Sequence, residues 1–175
     1  GFHKVLSDLV REVSSGSVFR QSFQPDFNSP PTWKHRAEGL WGAMGYPSAE
    51  KSETPKRTLN LQIDFNGTGH LFCGRAGDRY SREEFSVFPE IIAALPVRFL
   101  NYMGKLYEKT AYIGMVDIGL ALTGLKGSVA HTNNLRLHYV RIPYDRPEYK
   151  KSARFSAIQM LDDPISASKY LVMPF

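Results

Sequence analysis

The chain has 175 residues, 42% of them hydrophobic and 13% aromatic, enough apolar material for one core of ordinary domain size. Charged residues make up 22%, and eleven Phe with nine Tyr exclude a chain that is disordered over most of its length. The formal net charge is +5, and Cys73 as the only cysteine excludes an internal disulfide framework and a multi-cysteine zinc site, which favours a reducing, cytoplasmic setting.

One domain is expected over residues 1–175. The chain opens on Gly1 rather than Met and runs directly into a helical pattern, so it reads as a fragment of a longer protein. In that pattern Val5, Leu6, Leu9, Val10 and Val13 fall at helical spacing with charges between them. Phe19 to Pro31, rich in Ser, Asn and Pro, reads as an extended segment passing into a loop. Pro31 suits the first turn of a second helix, with Ala37, Leu40, Trp41 and Met44 as its buried stripe and Gly45 as its stop. Tyr46 to Pro55 is polar and holds two prolines, which predicts a mobile loop.

Leu59, Leu61, Ile63 and Phe65 alternate with Asn60, Gln62 and Asp64; Asn66-Gly67 follows, and His70 to Gly74 runs back apolar. This is the pattern of a β-hairpin. Asp78 to Glu84 reads as a charged connection. Pro89 opens a long helix carrying Ile91, Ile92, Leu95, Phe99, Leu100, Met103 and Leu106, which Pro96 is expected to kink or restart. Val116, Ile118, Leu120 and Leu122 alternate in a third strand ending at Gly124. A fourth strand is expected somewhere in Lys150 to Met160. Asp163 caps a closing helix that starts at Pro164 and buries Ile165, Leu171 and Tyr170. The order α-α-β-β-α-β-β-α predicts an α+β domain, an antiparallel or mixed sheet of about four strands covered by helices.

The charge is concentrated. Lys126, Arg136, Arg141, Arg146, Lys150, Lys151 and Arg154 stand against only Asp145 and Glu148, which equals the whole excess of the chain. Tyr139, Tyr144 and Tyr149 lie among the cations. Clustered Lys and Arg attract phosphate or carboxylate, and aromatic faces stack on bases, so these ten residues form the candidate contact for a nucleic acid or another anion. A solvated basic loop or a subunit interface would carry the same composition.

Other motifs carry less chemistry. Gly119 to Lys126 resembles a phosphate-binding loop, but Leu125 separates Gly124 from Lys126 and Gly127 separates Lys126 from Ser128, so glycines ending a strand are expected instead. Gly67, Gly69, Gly74 and Gly77 belong to a hairpin and its following loop. The five histidines show no metal-ligand spacing, and Cys73 reads as a small buried hydrophobe inside a strand. Asp64, Asp78, Asp117 and His70 sit near expected strand ends without a spacing that selects them. Neither a catalytic set, a cofactor nor a metal is expected. No apolar run approaches the ~20 residues needed to cross a bilayer, and no membrane partner is expected.

Three pieces together carry a resemblance: Pro25-Asp26-Phe27-Asn28-Ser29-Pro30-Pro31; Phe65-Asn66-Gly67-Thr68 with Leu71-Phe72-Cys73-Gly74-Arg75; and Ala121-Leu122-Thr123-Gly124-Leu125-Lys126-Gly127. They look like the C-terminal region of actinobacterial ATP-binding proteins whose N-terminal part is a Schlafen-type AlbA-like DNA-binding domain. The resemblance implies a bacterial accessory domain attached to a DNA-associated module, and carries over no catalytic residue. Three functions follow as expectations. The first is a non-enzymatic accessory domain for self-association or partner contact. The second is nucleic-acid binding through residues 126–154, and the third a nucleotide-binding or hydrolytic domain.

Overall fold

The strict alternation at 59–65 folds as the hairpin it predicts. In the computed structural model β3 (Leu59–Asp64) pairs antiparallel with β4 (Gly69–Cys73), Leu61 opposite Leu71 and Ile63 opposite Gly69. Gly67 turns the chain at φ 90°, a conformation that favours glycine, and the Asn66 side chain accepts a hydrogen bond from the Thr68 amide. The structure describes residues 4, 32–36, 39–44, 59–74, 76–79, 85–131 and 142–173, with the backbone alone for 32–36, 39–44, 59–60 and 78–79.

Preceding the hairpin, the segment read as a second helix is instead two strands, β1 (Thr32–Arg36) and β2 (Gly39–Met44). The apolar spacing there fits a helix, but Gly39 and Gly42 each weaken one by about 1 kcal/mol. The edge of β3 offers main-chain partners along the whole of β2, from Gly39 opposite Asp64 to Met44 opposite Leu59. The resulting antiparallel sheet has the order β1-β2-β3-β4. The first predicted helix and the predicted loops at 19–31 and 46–55 lie outside the described residues, apart from Lys4, which is helical.

The remaining strands form two further sheets rather than joining the first. β5 (Gly77–Arg79) pairs antiparallel with β6 (Phe85–Val87), which pairs parallel with β8 (Val129–Ala130). The expected charged connection at 78–84 therefore begins in strand at 78–79, and its residues 80–84 lie outside the described residues. β7 (Met115–Thr123) pairs antiparallel with β9 (Glu148–Ser156) over nine residues each. Among the described residues the strands thus form three separate sheets, not the expected single sheet of about four strands. The architecture mixes helices and strands, consistent with α+β.

One helix organises them. α1 (Pro89–Lys109) starts with Pro89 in its first turn and continues through Pro96 as one helix, so that of the expected kink or restart the restart does not occur. It buries Leu100, Tyr102, Met103, Leu106 and Tyr107 in a core shared with Leu61 and Ile63 of β3, Ile118 of β7 and Phe155 of β9. Each fully buried Leu or Ile stabilises the fold by about 1.5–3 kcal/mol, so both sheets are anchored to the same helix. Gly69 allows the first sheet to seat closely: a Cβ there would stand 2.6 Å from the Met103 sulfur.

Two short helices pack on α1 and share its core. α2 (Ala157–Asp162) begins where β9 ends, because the Ser156 hydroxyl accepts from the Gln159 amide. In α3 (Pro164–Val172), Asp163 caps as expected by accepting from the Ser166 amide, and this bond holds its carboxyl below the usual carboxylate range. Leu171 is buried as predicted, whereas Ile165 and Tyr170 are exposed and Ala167 and Ser168 take their place. No helix among the described residues is long and apolar enough to cross a membrane.

Candidate functional site

The basic stretch is divided by the fold. Lys126 is exposed in the turn that Gly124 and Gly127 make at φ 74° and 78°. Residues 144–147 are pinned to that turn, since Gly127 donates to the Tyr144 carbonyl (2.9 Å), Tyr144 to the Ser128 carbonyl (2.9 Å) and Leu125 to the Pro147 carbonyl (3.0 Å). Lys126, Tyr144 and Arg146 are therefore on neighbouring segments. Tyr144 packs on the small core of Val87, Ile92 and Leu125, and burial pushes its hydroxyl up. Arg136, Arg141 and Tyr139 lie outside the described residues.

Strand β9 carries the other four. Its alternation points Glu148, Lys150, Ser152 and Arg154 to solvent and Tyr149, Lys151, Ala153 and Phe155 toward the helices. Arg154 donates from Nε and from an η nitrogen to the two Asp117 carboxylate oxygens across the pair (2.6 and 2.8 Å). The bond holds Asp117 below the usual carboxylate range and raises Arg154 in turn. Lys150 sits 2.8 Å from Glu148. Lys151 donates to the Met173 carbonyl just past α3 and lies 4.2 Å over the Tyr170 ring. Tyr149 packs on the same small core as Tyr144 and donates to the Leu171 carbonyl (2.6 Å), and burial pushes its hydroxyl up. Tyr149 and the cations of β9 make contacts within the chain, although Lys150 and Arg154 are exposed as Lys126 and Arg146 are.

A different feature dominates the surface. Two cavities, of about 670 and 450 Å³, meet at Gly69, Phe99 and Ile118 and form one cleft. Residues 66–69 and 115–118 line the first; residues 69–74 and 118–125 line the second, with Ile92, Leu95, Pro96 and Leu100 of α1 beneath. Successive residues of a strand point to opposite faces, so a cleft lined by every consecutive residue of β4 and β7 meets the edges of both strands, not their faces. Both strands advance along it in the same direction. β4 pairs with β3 alone and β7 with β9 alone among the described residues. The cleft is therefore the gap between two sheets laid side by side on α1.

Its chemistry is apolar and main-chain. Among the described residues no Asp, Glu, Lys or Arg lines the 450 Å³ part. Phe72 and Phe85 stand at its mouth, half-exposed at 50% and 41%. At its other end Tyr112 and Met115, which line it, and the neighbouring Ile113 are exposed. The chain matches no family model, no curated protein and no solved structure.

The residues considered for hydrolysis do not converge. Asp64 accepts from Gln62 (2.8 Å), Asp117 is paired with Arg154, His70 is exposed on β4, and the side chain of Asp78 is not described. No group of three or more His, Cys, Asp and Glu that could hold a metal occurs among the described residues. Gly119 to Thr123 is strand interior, as expected, so its amides form no phosphate cradle.

The cleft escapes a reading of the sequence because it depends on which strands fail to pair. One signal is present in retrospect: β7 and β4 carry neither Lys nor Pro, whereas β9 carries Lys150, Lys151 and Arg154. Edge strands ordinarily carry such guards against pairing with other chains.

Proposed function

We propose that this chain is a non-enzymatic accessory domain that makes contact with another polypeptide through the cleft between β4 and β7. The observation that carries the proposal is the cleft between two strand edges, floored by α1, whose 450 Å³ part is free of charged side chains among the described residues. Exposed apolar surface of this kind marks contact sites in folded proteins. The resemblance to the C-terminal region of DNA-associated bacterial proteins supports a cytoplasmic accessory role beside a DNA-binding module. Direct nucleic-acid binding by residues 126–154 is the weaker reading, because Arg154, Lys150, Lys151 and Tyr149 have partners inside the domain.

Site-specific photo-crosslinking tests the contact. A benzophenone side chain at Phe72, at the mouth of the cleft, is compared with one at Ser152 on the outer face of β9. The expected result is a crosslink to one defined polypeptide, a second copy included, from position 72 and not from 152. Equal crosslinking from both positions, or none from 72 together with salt-sensitive DNA or RNA binding lost on Lys126→Ala/Arg146→Ala, would replace this reading with the nucleic-acid one.

A further inference from the structure

The wide end of the cleft sets an apolar knob beside an open cavity. Tyr112, Ile113 and Met115 follow the C-terminus of α1 and are exposed, Ile113 at 75%. Tyr112 and Met115 line the 670 Å³ cavity, whereas Ile113, between them, is not part of its wall. Phe99, Met103 and Tyr107 line it from α1, and the Tyr107 hydroxyl already donates to the Gly67 carbonyl (2.9 Å). An apolar guest therefore suits this wall better than a polar one. The knob is also held in place. The Tyr112 amide donates to the Tyr107 carbonyl, the Ala111 amide to the Glu108 carbonyl and the Tyr112 hydroxyl to the Met115 carbonyl, each at 2.9 Å. The rings of Tyr107 and Tyr112 lie 5.3 Å apart. Ala111 turns the chain at φ 54°, a left-handed conformation that glycine would adopt without strain. A solvated loop has no need of a strained turn that fixes three exposed apolar side chains, whereas a preorganised contact does.

We infer that the occupant of this end is a second copy of the chain, docked about a two-fold axis so that Ile113 of each protomer enters the cavity of its partner. The inference rests on the contact reading above and names the partner. Two observations select a copy. A guest has both to fill the cavity and to cover Ile113, and a two-fold contact does both with one surface, since each protomer brings the same knob and the same cavity. Charge supplies the second observation. Each chain carries +5, so two copies repel unless they meet on a balanced surface. The charged side chains that line this cavity among the described residues, Lys109 and Asp117, are one of each sign. A two-fold axis allows Lys109 of one protomer to face Asp117 of its partner, and the reverse. Contact through the basic stretch would set cations against cations.

Sedimentation equilibrium over a wide concentration range tests this on the full chain, on Ile113→Asp and on Thr68→Arg. Both positions are exposed, one on the knob and one in the cavity wall, and circular dichroism establishes that each variant is folded. The full chain is expected to form a closed dimer. Each variant should weaken it by about a hundredfold or more, because two-fold symmetry counts every lost burial twice. A monomer at every concentration overturns the inference. So does a dimer that either folded variant leaves unchanged, or an association that continues beyond two. The crosslink from position 72 decides the contact reading separately. If the chain stays monomeric and position 72 captures a different polypeptide, the contact reading stands and the second copy falls. With neither dimer nor crosslink, both fall.

Discussion

Asp117 and Arg154 illustrate how a residue that looks available from composition is engaged by the fold. They stand opposite each other on the solvent face of the β7–β9 ribbon, and the guanidinium grips both carboxylate oxygens. The pair is exposed, and exposed pairs contribute little to stability; its signature is the titration. The folded pKa of Asp117 is depressed relative to its unfolded value, so its contribution is present above the ordinary carboxylate range and is lost as pH falls through the folded value. Arg154→Ala is expected to return Asp117 to the ordinary range, measured by carbon-detected NMR titration of its carboxyl, with little change in thermal stability at neutral pH. An Asp117 that titrates normally in the unaltered chain contradicts the geometry. Tyr149 follows the same logic: its spacing within the basic stretch is compatible with stacking on a base, but inward alternation on β9 and the bond to Leu171 set it, half-buried, against the small core.

Elements were legible where local pattern and tertiary context agree. The 59–73 hairpin, the strand at 115–123, the helix from Pro89 and the Asp163 cap all follow from alternation, turn residues or capping chemistry in the chain itself. The segment at 32–44 shows the opposite case, because helical spacing of Leu40, Trp41 and Met44 is overridden by pairing with β3. α2 had a readable start in Ser156 and Gln159, the spacing of a capping box, obscured by the strand pattern just before it. Where elements pack, the sign of a substitution can reverse. Gly104→Ala in an open helix would gain about 1 kcal/mol in propensity. Here a Cβ would lie 2.8–3.0 Å from the backbone of Leu161 and Met160, where α1 crosses α2, and backbone cannot turn aside. Overpacking of that kind costs about 1–3 kcal/mol, so urea denaturation should place Gly104→Ala below the unaltered chain. A stabilised variant would mean that the crossing is looser than described.

At the scale of the whole molecule, the described residues form two sheets on one long helix, with a third small sheet near its start. The candidate site belongs to this scale alone. No residue of β4 or β7 marks it by type; it arises because the first sheet stops at β4 and the ribbon begins at β7, an arrangement that strand alternation cannot encode. The basic stretch, conspicuous in composition, is in large part the guarded edge of β9 and a turn pinned to residues 144–147. The account therefore depends most on β4 and β7 each having one strand partner among the described residues, with the apolar floor of α1 between them. Residue-resolved hydrogen exchange by NMR on the unliganded chain reads this directly. Amides of β4 and β7 that pair with β3 and β9 are expected to be protected, while the intervening amides of both strands exchange rapidly. Uniform protection along β4 and β7 would show that the edges are already filled, and would contradict the account.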